Sequence, residues 1–186
     1  MRHAQDGSEQ GPGRGRAERF ERLVLPHLDA AYNFARWLTR DHHRAQDVVQ
    51  ESMMRALRFF AGFHGENARS WLLTIVRNTC ASTMKAAHRE EPHPDLDDDL
   101  MRHDPGAAAG LDPSLAVERK WNAERLVRAM EQLPAAFREV LVLRELEDLS
   151  YKEIAEVAGI PIGTVMSRLA RARRLLLEAF DQTEGR

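Results

Sequence analysis

The chain has 186 residues, 43% of them hydrophobic and 30% charged. That suits one or two small domains and is too apolar for a wholly disordered chain. The single cysteine, Cys80, excludes an internal disulfide framework and fits a reducing, cytoplasmic setting, while the net charge of −2 conceals two basic stretches and one acidic stretch.

Residues 1–16 are rich in Gly, Gln and Arg, with no periodicity and no apolar core. They read as a disordered leader rather than a signal peptide. No window approaches about eighteen consecutive apolar residues, so no membrane insertion is expected. Residues 17–89 form a first helical module. A helix is predicted over Phe20 to Thr39, with Leu23, Leu28, Ala31, Phe34, Ala35 and Leu38 as core positions. Pro26 near its start allows a later beginning. A second helix is predicted over His43 to Phe60, with Ala45, Val48, Val49, Ser52, Ala56, Phe59 and Phe60 inward. Asp47, Gln50, Glu51 and Met54 share a separate face of it. A Gly-bounded loop, Ala61 to Asn67, leads to a third helix over Arg69 to His88. That helix is expected to bury Leu72, Ile75, Val76 and Thr79 and to show Arg69, Ser70, Arg77, Asn78 and Lys85 on its other side.

From Asn67 to Arg89 there is no acidic residue, only Arg69, Arg77, Lys85 and Arg89. Residues 90–116 then form a flexible linker. Within it Glu90 to Pro113 holds eight acidic residues against Arg102 alone, together with four prolines and the segment GAAAG. Such a run either spaces the two modules or enters a positively lined path as a phosphate mimic.

The second module, residues 117–182, carries the sharpest local pattern. Ser150-Tyr151-Lys152-Glu153 is a capping box that opens a short helix. Gly159 suits the left-handed turn that ends it, and Pro161 suits the start of the next helix. That next helix buries Val165, Leu169, Ala172 and Leu176, and its opposite stripe is Met166, Ser167, Ala170, Arg171 and Arg174. From Pro161 to Leu177 there is again no acidic residue, only Arg168, Arg171, Arg173 and Arg174. Short helix, Gly turn and basic helix make a helix-turn-helix, whose second helix enters the major groove. Gly163 and Thr164 stand in its first turn, where backbone N–H groups approach phosphate. The competing reading of either basic stretch is an ordinary solvated helix face. The fold expected is all-α, two small helical domains on a flexible acidic linker.

Four blocks, in order, carry a resemblance. They are Asp47-Val48-Val49-Gln50-Glu51; Trp71-Leu72-Leu73-Thr74-Ile75-Val76-Arg77-Asn78; Leu133-Pro134-Ala135-Ala136-Phe137-Arg138-Glu139-Val140; and Leu149 to Ala155 with Gly163 to Arg173. Together they resemble a bacterial RNA polymerase sigma factor of the extracytoplasmic-function (ECF) group. The resemblance implies that Asp47, Gln50 and Glu51 bind the β′ clamp helices of core RNA polymerase, and that the second domain meets the β flap. It implies that the loop Phe63 to Asn67, with His64, Glu66 and Asn67, captures an unstacked base of the promoter −10 element. Arg69, Ser70, Arg77, Asn78 and Lys85 then hold its backbone, with Trp71 either stacking near the strand-separation point or packing in the core. Gly163, Thr164, Met166, Ser167, Arg168, Ala170, Arg171 and Arg174 are placed on the −35 element, with Arg171 able to pair bidentately with a guanine. Met166 stands where the family often has a basic residue. An anti-sigma factor is a further implied partner.

Two other readings compete. A stand-alone helix-turn-helix regulator with a helical sensor domain accounts for the second module but not for the Asp47 to Glu51 block. A metal enzyme is suggested by eight histidines and one cysteine, but His42-His43, His88, His93 and His103 lack ligand spacing. No nucleophile–base constellation is present, and neither a cofactor nor catalytic activity is expected. Cys80, single and near the buried stripe, is a poor redox switch.

Overall fold

The computed structural model describes the backbone of residues 12–90 and 113–182 and the side chains of 15–85 and 121–182. The described residues are helical with no strand, in the order α1 (Pro12–Val24), α2 (Leu28–Thr39), α3 (His42–Phe59), α4 (Ala68–Glu90), α5 (Pro113–Gln132), α6 (Ala135–Leu141), α7 (Tyr151–Ala158) and α8 (Ile162–Gln182). The acidic stretch 91–112 and residues 1–11 lie outside the described residues, and with them any reading of the linker's path. Residues 12–16, assigned by sequence to the leader, belong to α1, and Arg16 donates to the Leu57 carbonyl at 3.0 Å. Residues 113–116, assigned to the linker, open α5.

The single helix expected over Phe20 to Thr39 is two helices. Pro26 has no N–H to give, so the chain makes a 3-10 turn at Leu25–His27 and restarts at Leu28. This rotates Leu28 outward, and it is exposed rather than core. Val24, Ala31, Phe34 and Ala35 are buried, and Leu23 and Leu38 are half-buried against them. The α3 stripe of Ala45, Val48, Val49, Ser52 and Ala56 is buried as its spacing requires. Phe59 is a correction: it is 59% exposed, and Phe60 takes the core position in the 3-10 turn that follows.

α6 runs into a π-helical turn, Val142–Leu146, whose i→i+5 pairing appears as the Glu147 N–H donating to the Val142 carbonyl at 3.0 Å. The wider turn keeps Val142 and Leu143 buried and also buries Glu147. Beyond it the helix-turn-helix forms as its residues dictate. Ser150 Oγ accepts from the Glu153 N–H, and the Glu153 carboxylate accepts from the Ser150 N–H at 2.7 Å. Ser150→Ala is expected to cost about 1 kcal/mol in thermal denaturation, with the loss confined to the second domain. Gly159 ends α7 at φ 64, a conformation that strains any residue with a Cβ. Gly159→Ala is therefore expected to cost about 1–2 kcal/mol although no atom crowds the new methyl: its nearest neighbour, an Arg77 guanidinium nitrogen, lies 3.8 Å away.

The two domains are in contact. α4 packs on α7 and α2 on α6, and the buried apolar residues of both domains form one continuous cluster.

Candidate nucleic-acid interface

α8 starts on Pro161, whose carbonyl accepts the N–H groups of Thr164 and Val165 at 2.9 and 3.1 Å. Val165, Leu169 and Ala172 face the core, and Leu176 is half-buried. The opposite face therefore shows Met166, Ser167, Ala170, Arg171 and Arg174 to solvent, with Gly163 exposed at the helix start and Thr164 and Arg168 half-buried beside it. Arg171 makes no ion pair among the described residues, which leaves its guanidinium fork free. Among the described residues Arg174 pairs within its own helix, with Glu178 at 3.6 Å. Arg173 differs: it holds Glu145 of the π turn at 2.7 Å and braces the domain internally.

On α3, Asp47, Gln50 and Glu51 are exposed on the side away from Val48 and Ser52, with Met54 next to them. Glu51 is paired with Arg55 one turn on, at 2.6 Å. Beside this polar face runs an open groove between α2 and α3, lined by Leu28, Tyr32, Val49, Gln50 and Met53. The exposed Leu28 thus belongs to a groove wall.

The loop before α4 divides. Phe63 is buried, stacked on Phe60 at 5.9 Å and tilted against Trp71 at 4.8 Å. It anchors the loop rather than presenting itself to a base. Trp71 is half-buried in the same aromatic cluster. Arg19 fixes the loop from outside by donating to the Phe63 carbonyl at 3.2 Å. His64, Glu66 and Asn67 are exposed, as are Asn78 and Lys85 farther along α4. Asn67 has a local structural role too, because its Oδ1 accepts the Ser70 N–H at 3.0 Å and caps α4.

The remaining expected −10 residues are not open. Arg69 is ion-paired with Glu147, and Arg77 with Glu139 at 2.8 Å. Asn67 Nδ2 donates to Glu153, and the Ser70 hydroxyl, itself buried, reaches the same carboxylate oxygen at 3.4 Å. All three acids belong to the second domain. The Glu153 carboxyl is held below its usual range, first by the Ser150 hydroxyl and backbone N–H, with smaller contributions from Ser70 and Asn67. Sequence reading assigned Glu139, Glu147 and Glu153 no part in this site, since acidic residues scattered through a helical domain carry no periodic signal.

Cys80 is buried, and its thiol is pushed up to about 12, by burial first and by Glu139 second. At that value it is not a thiolate near neutral pH. Among the described residues no cluster of three or more His, Cys, Asp or Glu is placed to hold a metal, and no helix is long and apolar enough to cross a membrane.

Comparison with known proteins follows the same division. The family model for Sigma-70 region 2 matches residues 23–90, and that for Sigma-70, region 4 matches residues 123–176. The chain is 34% identical to the RNA polymerase sigma-H factor of Pseudomonas aeruginosa over 172 residues, which is 90% of this chain and 89% of that protein. It is 38% identical to the ECF RNA polymerase sigma-E factor of Haemophilus influenzae over 134 residues, 70% of this chain and 71% of that protein. Among solved structures it is similar to the sigma factor RpoE of Bartonella quintana in complex with the anti-sigma factor NepR. That match has a TM-score of 0.68 and 29% identity, and covers 88% of this chain and 98% of that one. Matches to both halves in order leave the stand-alone regulator without support.

Proposed function

We infer the division of labour from one premise: the chain belongs to the sigma-70 family, as an ECF sigma factor that recognises promoters for RNA polymerase. Its exposed α3 face of Asp47, Gln50 and Glu51 docks on the β′ clamp helices of core polymerase, where an acidic-polar stripe suits a basic partner. The loop Phe63 to Asn67 and the outer side of α4 take the −10 element. His64 and Glu66 are exposed to a flipped base and Lys85 to a phosphate, while Arg69 and Arg77 take phosphates once their pairs with Glu147 and Glu139 are exchanged for DNA. α8 reads the −35 element through Met166, Ser167, Ala170 and Arg171, with Arg168, Arg174 and the helix start at Gly163 and Thr164 on the backbone. The second domain also contacts the β flap. The chain supplies recognition and melting, and the polymerase supplies catalysis.

The observation that carries this reading is the open face of α8, where Arg171, with no ion pair among the described residues, stands between small and polar neighbours opposite the buried Val165, Leu169 and Ala172. An anti-sigma factor covering both domains is proposed as the inhibitory partner, supported by the Bartonella neighbour solved with one. Co-elution of the full chain with core polymerase on size exclusion tests the premise for α3. The expected result is a stoichiometric complex, and a chain that elutes alone at micromolar concentration contradicts it.

A further inference from the structure

We propose that Glu139, Glu147 and Glu153 of the second domain act together as a phosphate mimic that covers the DNA-facing side of α4 in the free chain, so that the two domains must part before the −10 element can be bound. This rests on the assignment of α4 to that element. Arg69 and Arg77 lie eight residues apart, on one face of α4 and about 12 Å apart along its axis. Leu73, between them on that face, is fully buried. Four of the donors assigned to the −10 element hold a carboxylate oxygen instead of a phosphate oxygen, Arg69 on Glu147, Arg77 on Glu139, and Asn67 and Ser70 on Glu153, while Asn78 and Lys85 stay exposed beyond them.

Three separate local devices aim the acids. Glu139 stands on α6, Glu147 is turned inward at the end of the π turn, and Glu153 is the third residue of α7. Glu153 divides its work: one oxygen closes the capping box on Ser150, and the other is left for Asn67 and Ser70.

The closure is poised to open. Arg69 and Arg77 are each about a third exposed, at 33% and 32%, so salt reaches both pairs. Glu139 and Glu147 are nearly buried, and regain their hydration when the domains part, which offsets the lost pairs. The second contact, α2 against α6, sets like charges together. Arg138 donates to the Trp37 carbonyl at 2.9 Å while facing Arg40, with Glu131 the nearby acid. Among the described residues, nitrogens of Arg36 and Arg40 and an oxygen of Glu131 are buried there with no protein hydrogen-bond partner.

The test uses the full chain, read by small-angle X-ray scattering and by fluorescence anisotropy with a labelled twelve-nucleotide single-stranded DNA. Wild type is expected to be compact at low salt and to expand as salt rises. The triple variant Glu139→Gln, Glu147→Gln, Glu153→Gln keeps the capping box, since Gln also serves there, and is expected to be expanded throughout. It should bind the oligonucleotide at least tenfold more tightly at low salt. Adding Arg69→Ala and Arg77→Ala to it should remove that gain. A separate pair guards against simple unfolding: Arg77→Glu alone should open the chain, and Arg77→Glu with Glu139→Arg should restore compaction. A triple variant as compact as wild type, or an expanded one with unchanged affinity, overturns the proposal while leaving α4 a candidate reader. A gain that survives loss of Arg69 and Arg77 refutes the −10 assignment of α4, and the proposal with it.

Discussion

Reversing charge at Asp47 and Glu51 to Lys should weaken binding to core polymerase by about a hundredfold or more. Both side chains are exposed on α3 opposite its buried stripe, so the fold is indifferent to their sign. Among the described residues the interaction lost is the exposed Glu51–Arg55 pair, worth about 0.5 kcal/mol or less. Setting two lysines against a basic partner brings like charges together, which costs several kcal/mol at an interface, and each 1.4 kcal/mol is about tenfold. A competition assay against wild-type chain for core enzyme measures this. Equal competition by a variant with unchanged melting temperature removes α3 from the core-binding role.

Arg171→Ala should lose about 1–3 kcal/mol, some 5- to 150-fold, at one base position of the −35 element and little elsewhere. The guanidinium is exposed, unpaired among the described residues, and planted on a helix whose other face is locked by Val165, Leu169 and Ala172. It therefore enters a groove with no ion pair among the described residues to break first. Arg174, one turn on and loosely held by Glu178, should behave differently on replacement by Ala, lowering affinity evenly across sequences as a phosphate contact does. A matrix of promoter substitutions against both variants separates the two. If Arg171→Ala scales every promoter down equally, it holds backbone and reads no base.

What was legible in the sequence was local. Pro26, the capping box at Ser150, Gly159 and Pro161 act within a few residues of themselves, and each produced the turn or helix end its chemistry demands. The α3 and α8 faces followed from spacing, because one buried stripe fixes where its opposite points. The misplaced residues sit where periodicity drifts. Phe59 and Phe60 are adjacent, and only the 3-10 turn decides which is core. Phe63 lies in a loop bounded by glycines, where no period exists to bury it. The π turn at Val142–Leu146 adds one residue per turn and leaves no compositional trace. The pairs between domains were beyond reach for a plainer reason. Asn67–Glu153, Arg69–Glu147 and Arg77–Glu139 join residues 86, 78 and 62 apart. Attraction at that separation depends on how two folded domains meet. The second buried face of α4, with Leu73 and Cys80 added to Leu72 and Val76, was a sign of that meeting. A helix apolar on more than one stripe has more than one neighbour.

The most direct measurement is transcription reconstituted from core RNA polymerase, the full chain and a genomic promoter library, with transcript starts sequenced. The expected result is a set of starts that appears only when the chain is added, preceded by a shared pair of elements at −35 and −10 spacing, and lost with the Asp47→Lys, Glu51→Lys variant. A chain that binds DNA through α8 yet leaves the polymerase's choice of starts unchanged would contradict the account at its centre.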